Sequence, residues 1–171
     1  MEGMAQDLAG TFLSFSERRM GLAVKNIHDC IARLTDDQLW QRGGDHENSV
    51  ANLLLHLAGN IRQWIMHGVA GNPDIRQRDE EFSFTIRLPR EAVLRIFDTT
   101  LEEARRVIAG LPYDDLMTLT DPQPGGNWGA VTKMEAIYQV VGHLQQHTGQ
   151  IILLTKQMTA TDLDLTMPRK R

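Results

Sequence analysis

The stretch Val140-Val141-Gly142-His143-Leu144-Gln145-Gln146-His147-Thr148-Gly149-Gln150-Ile151 decides how this chain reads. Val140, Val141, Leu144 and Ile151 recur at the three- and four-residue spacing of one helix face. His143 and His147 stand four apart, so on that helix their rings share a side, about 6 Å apart along the axis. Two imidazoles so placed can reach one cation. Followed outward, the same periodicity runs from about Thr132 to Met158 and takes in Ile137 and Leu154.

Three further segments carry the helical period. One runs from about Met4 to Leu34, with Leu8, Phe12, Phe15, Met20, Leu22 and Ile27 expected in the core. A second follows Asn48-Ser49, a good capping pair, and continues to about Val69, where Gly71-Asn72-Pro73 stops it. Its stripe is Val50, Leu53, Leu54, Leu57, Ile61, Trp64 and Ile65. A third begins near Pro89, a favourable first-turn residue, and ends at Gly110-Leu111-Pro112, with Val93, Leu94, Phe97, Leu101, Ala104 and Ile108 inward. No segment alternates as a strand does, although Phe82-Ser83-Phe84-Thr85-Ile86 can form a short extended piece. Four long amphipathic helices predict an all-α four-helix bundle, a single domain over residues 1–171.

The connections are long, from about Ala70 to Leu88 and from about Gly110 to Val131. Loops of that length in a bundle often cover a site. A short internal repeat fits two related helical hairpins. Ile31-Ala32-Arg33-Leu34-Thr35-Asp36-Asp37-Gln38-Leu39 resembles Ile108-Ala109-Gly110-Leu111-Pro112-Tyr113-Asp114-Asp115-Leu116, and His56-Leu57 with Asn60 resembles His143-Leu144 with His147. The second and fourth helices then hold comparable positions, with Asn60 standing where His147 stands.

His56 lies in the apolar run Leu53-Leu54-Leu55-His56-Leu57-Ala58. A third imidazole from a facing helix would complete a three-histidine set and leave coordination positions open for water or substrate. The alternative is three core histidines hydrogen-bonded to backbone. His67, eleven residues beyond His56 and so about 16 Å along the axis, cannot share its ion. His28 and His46 read as surface or capping residues. Asn60 and Gln63 continue the His56 face, and Gln139, Gln146 and Gln150 lie on the last helix; all can orient ligands or bind substrate, or be plain polar surface. There is no H-E-x-x-H and no Glu-x-x-His pair, which disfavours metalloprotease and di-iron chemistry. Cys30, the single cysteine, reads as a small core residue.

Across 171 residues, 42% are apolar and 23% charged, with 18 basic against 22 acidic side chains and a net charge of −4. That balance gives no basic face for nucleic acid, and no apolar run is long enough for a membrane. With one cysteine and no basic-then-apolar leader at the N-terminus, the expected compartment is the cytoplasm.

Three motifs together resemble one family. They are Asn48-Ser49-Val50-Ala51-Asn52-Leu53-Leu54-Leu55-His56-Leu57-Ala58-Gly59-Asn60, Arg76-Gln77-Arg78-Asp79-Glu80-Glu81-Phe82, and His143 to Ile151 followed by Leu154-Thr155-Lys156. They span almost the whole chain. In this order they are similar to the DinB/YfiT-like metalloenzyme superfamily, in its DUF1572 branch. The resemblance implies a bundle with up-down-down-up topology, a homodimer, and a divalent metal, zinc or nickel, held by His56, His143 and His147. That superfamily includes transferases that use low-molecular-weight thiols, so a thiol S-transferase is the expected activity; of the polar residues on the two histidine helices, Asn60 and Gln150 are the candidate substrate contacts. A metal-dependent hydrolase, or a binding bundle without turnover, are the other readings. No acidic residue lies within a helical turn of His56 or His143, so a general base would have to come from a loop acid such as Asp79, Glu80 or Glu81, three acids otherwise expected in surface or Arg-paired contacts.

Overall fold

Ser49 and Thr132 start the two histidine-bearing helices by the same device. Each hydroxyl accepts from the backbone N–H three residues on, and that residue's side chain reaches back to the cap backbone. These capping boxes pair Ser49 with Asn52 and Thr132 with Glu135, and satisfy N–H groups that a helix start leaves bare. In the computed structural model, which describes residues 2–83, 87–124 and 126–165, the helices they open are α3 (Val50–Ile61) and α6 (Lys133–Thr159). Also present are α1 (Glu2–Ile31), short α2 (Asp36–Leu39), short α4 (Arg78–Glu81) and α5 (Arg90–Ala109). The chain forms an all-α helical bundle in which α1 packs on α6, while α3 packs on both α5 and α6.

The segment expected as one helix to Val69 changes winding part-way. From Arg62 to Val69 it is a π-helix, closed by Ala70 N–H on Ile65 C=O at 2.9 Å. Long π segments are rare and cluster at functional sites. Thr120 Oγ1 takes up the Gly68 carbonyl at 2.5 Å, which ties the π-helix to the loop after α5. That loop contributes β1 (Leu119–Thr120), antiparallel to β2 (Val131–Thr132). Two-residue strands are too short for alternation to reveal.

The inward stripes of α3, α5 and α6 fall where the periodicity places them: Leu54, Leu57, Ile61, Phe97, Ile137, Leu144 and Ile151 are fully buried. The reading of α1 needs correction. Met20 and Ile27 are buried, but Leu8, Phe15 and Leu22 are exposed. The true stripe is Met20, Ala23, Ile27, Cys30 and Ile31; Leu8, Phe15 and Leu22 repeat every seven residues roughly a third of a turn round the helix. α1 packs chiefly against α6, so it has one covered face, and a wider apolar surface than that face can bury. Pro89 stands at the N-cap of α5 rather than in its first turn. Phe82 ends α4 and Ser83 follows it, so no strand starts there; Phe84, Thr85 and Ile86 lie outside the described residues. No helix among the described residues is long and apolar enough to cross a membrane.

Candidate metal centre

Antiparallel contact between α3 and α6 brings three imidazoles together. His56 from α3 and His143 and His147 from α6 each offer a ring nitrogen, all within 4.8 Å of one another. His143 Nε2 lies 2.9 Å from His56 Nε2, and the ring centres of His143 and His147 are 4.4 Å apart. His56 is buried, and the other two are half-buried. Burial, with the neighbouring His147 and His56, pushes His143 down to about 4, and burial lowers His147 despite the opposing pull of Gln150. Both therefore stay neutral at physiological pH, with a lone pair to give.

Which nitrogen carries the proton is set by the outer partner of each ring. Glu81 Oε2 lies 2.8 Å from His56 Nδ1. A carboxylate there accepts, so Nδ1 holds the hydrogen and Nε2 faces its neighbours bare. Arg76 Nη2 is also 3.2 Å from that Nδ1, but two donors cannot share one hydrogen bond, and the shorter carboxylate contact prevails. Gln150 Oε1 lies 2.7 Å from His147 Nδ1 and plays the same part, leaving His147 Nε2 bare. His143 Nδ1 has no hydrogen-bond partner among the described residues. Its Nε2–H can donate to His56 Nε2 at the observed spacing, or its proton can move to Nδ1 and free Nε2. Two nitrogens about 2.0–2.1 Å from one tetrahedral ion stand about 3.3 Å apart, so the observed spacing needs to open by only a few tenths of an ångström. The donor set fits a divalent ion that favours imidazole, such as zinc or nickel.

The Glu81 carboxylate is itself built in. Its side chain is 8% exposed and Arg76's is 5%. Arg76 Nε donates to Oε1 at 2.7 Å and Nη2 to Oε2 at 2.8 Å. Burial alone would raise this carboxyl; the bonds from Arg76 and His56 outweigh it and hold the group below its ordinary value. Asn52, already the partner of Ser49, donates Nδ2 to the carbonyls of Glu81 at 2.9 Å and Ser83 at 3.2 Å. The acid considered as a base over the site thus stands behind His56, away from its Nε2. Asp79 and Glu80 are exposed.

Asn60 is buried one turn from His56, yet its Oδ1 has no hydrogen-bond partner among the described residues, nor has Trp64 Nε1. Gln63 is engaged elsewhere: its Oε1 accepts from Arg76 and Gln123, and its Nε2 donates to Asp74. Phe82 packs 4.9 Å from the His56 ring with the Arg78 guanidinium 5.2 Å from its centre. A cavity of about 470 Å³ opens beside Arg76, walled by Gln63, Arg78, Gln123, Asn127 and Trp128; the histidines do not line it. The remaining histidines stay apart. His28 contacts Asp98 at 2.9 Å, His67 Nδ1 donates to the Asn72 carbonyl at 2.6 Å, and His46 is exposed.

A model of the family described as Protein of unknown function (DUF1572) matches residues 7–171. The chain belongs to that family. No curated protein matches it. For this DUF1572 member, the matched span includes all three histidines together with Arg76 and Glu81. Sequence reasoning quoted Arg76, Glu81 and Gly59 within its motifs and expected Glu81 at the surface or paired with an arginine; the pair with Arg76 is found, but the role of Arg76, Glu81 and Gly59 behind His56 was missed. The available signal was Gly59 itself, a glycine inside a helix where no turn asks for one.

Proposed function

We propose that this DUF1572 chain is a divalent-metal enzyme, a thiol S-transferase, with His56, His143 and His147 as the ligands. The observation that carries the reading is the pair of outer bonds, Glu81 on His56 and Gln150 on His147, which leave the inner nitrogens of both rings bare within a group whose ring nitrogens lie within 4.8 Å of one another. A hydrogen-bonded core histidine needs no such arrangement. A divalent ion held there would acidify a bound low-molecular-weight thiol, so that its sulfur is a thiolate near neutral pH and can form a bond to an electrophilic carbon as the leaving group departs with its electron pair.

The chain's own residues supply the setting. Asn60, unpaired beside His56, is the contact for a polar group of the substrate. Phe82 packs against the His56 ring and fixes one wall beside it. Cys30 is excluded as an internal nucleophile: it is fully buried, and burial pushes its thiol up. The attacking sulfur must come from outside. The only carboxylate hydrogen-bonded to His56, His143 or His147 among the described residues, Glu81, is spent on Arg76 and His56, which disfavours a hydrolase that would need a base over the open side.

The test is loss of a model electrophile, 1-chloro-2,4-dinitrobenzene, in the presence of zinc- or nickel-loaded protein and a panel of small thiols. Thiol-dependent turnover that disappears in His143→Ala supports the transferase; metal binding with no turnover of any thiol leaves a binding bundle.

We also propose that two copies pair through the exposed stripe of Leu8, Phe15 and Leu22, whose seven-residue repeat suits a helix seam. Light scattering on the 19.3 kDa chain should give twice that mass, and Phe15→Glu should halve it; a monomeric wild type rejects this.

A further inference from the structure

Gly59 lies inside α3, three residues after His56. A glycine in a helix interior is about 1 kcal/mol worse than alanine, so its presence calls for a reason. Gly21, Gly142 and Gly149 are also within helices, and a Cβ on any of them would meet nothing within 4 Å. Gly59 differs. A Cβ there would overlap Glu81 Oε1 and lie 2.7 Å from its Cδ and 3.2 Å from Arg76 Nε. The carboxylate occupies the space that a side chain would fill.

Glu81 cannot step aside without giving up bonds. Its backbone carbonyl is held by Asn52, and both its oxygens are bound, one by Arg76 Nε and the other by Arg76 Nη2 and His56 Nδ1. A methyl group at position 59 can be accommodated only if the carboxylate swings away, because that is the flexible end of the contact. The swing breaks the bond to His56.

We propose that Gly59 is a positioning residue for the metal centre: its missing side chain is what lets Glu81 reach His56 Nδ1 and fix the tautomer that bares Nε2. The affinity consequence rests on the metal reading above; the tautomer consequence does not. Because a flexible terminus yields, Gly59→Ala should fold, and its defect should lie at His56.

The experiment compares wild type, Gly59→Ala, Glu81→Ala and Gly59→Ala/Glu81→Ala. Circular dichroism checks folding, ¹⁵N–¹H correlation spectra of the metal-free proteins read the His56 tautomer, and competition against a chelating dye reads zinc affinity. Wild type should show His56 protonated on Nδ1. Gly59→Ala should lose that single tautomer and bind zinc about 10- to 100-fold more weakly, the range for removing an outer-shell partner. The double variant should bind zinc as Glu81→Ala does, since without the carboxylate the added methyl has nothing to displace. Wild-type tautomer and affinity in Gly59→Ala would overturn the proposal, and so would an equal further loss on adding Gly59→Ala to Glu81→Ala. If wild type binds no zinc, the metal reading fails, while the tautomer comparison still decides the role of Gly59. If Gly59→Ala does not fold, the double variant must fold whenever Glu81→Ala does; its failure to do so overturns the proposal.

Discussion

His143 Nε2 and His56 Nε2 stand 2.9 Å apart, and the two rings differ in what lies behind them. His56 has Glu81 on its far nitrogen; His143 has no partner on its own among the described residues. One proton therefore decides whether the pair is a hydrogen bond or two open ligands, and it belongs to the ring that is free to move it. Of the three rings, only His143 has to change tautomer for all three inner nitrogens to be bare.

The low proton affinity of His143 makes stability depend on pH. Its folded-state value is about 4, against an ordinary 6.5. Below 6.5 the unfolded chain takes a proton that the folded chain refuses, so unfolding is favoured as pH falls. The stability from keeping the ring neutral is full above about 6.5 and is lost as the pH falls through that window toward about 4. His147 shifts in the same direction. Urea midpoints of the metal-free protein should decline from pH 7 to pH 4.5, and His143→Leu should decline less. Parallel curves for the two proteins would rule this out.

Arg76→Met should be among the most destabilising single changes outside the apolar core. It strands the Glu81 carboxylate, 8% exposed, without its cation, and breaking one side of a buried pair costs about 3–5 kcal/mol. Urea denaturation gives the number. A loss under about 1 kcal/mol would show that the pair is solvated in solution.

Asn60→Leu should separate stability from function. The amide is buried with Oδ1 unpaired, and an unmet buried polar group costs about 1–3 kcal/mol. A leucine of similar size should keep or raise the melting temperature while reducing turnover. A large drop in melting temperature would mean that Asn60 has a structural partner in solution.

Two phenylalanines test how the bundle is filled. Phe97 on α5 is fully buried, whereas Phe15 on α1 is 54% exposed. Phe97→Ala should cost about 3–5 kcal/mol; Phe15→Ala should stay within about 0.5 kcal/mol for the single chain. Thermal melts of both, at protein concentrations low enough to favour monomer, make the comparison.

Periodicity located α3, α5 and α6 because each has one dense apolar stripe, and Asn48-Ser49 and Pro89 marked the starts of α3 and α5. It misjudged α1, where apolar residues cover more than one face and spacing alone cannot say which face meets α6. The histidines were legible for the same reason as the core, since four-residue spacing fixes a shared side. The clamp behind His56 was not. Arg76 is brought to α3 by a loop and Glu81 by the four-residue α4, too short to show a period, and the contact joins positions twenty and twenty-five residues from His56. The π winding after Ile61 leaves no mark in composition either, because the same apolar residues serve both helix types.

Metal content by mass spectrometry, on tag-free protein incubated with zinc or nickel and then desalted, tests the central claim most directly. The three-histidine centre predicts about one ion per wild-type chain and none retained by His147→Ala. Wild-type protein that emerges without metal from both incubations would contradict the metal centre and leave a bundle with three hydrogen-bonded histidines.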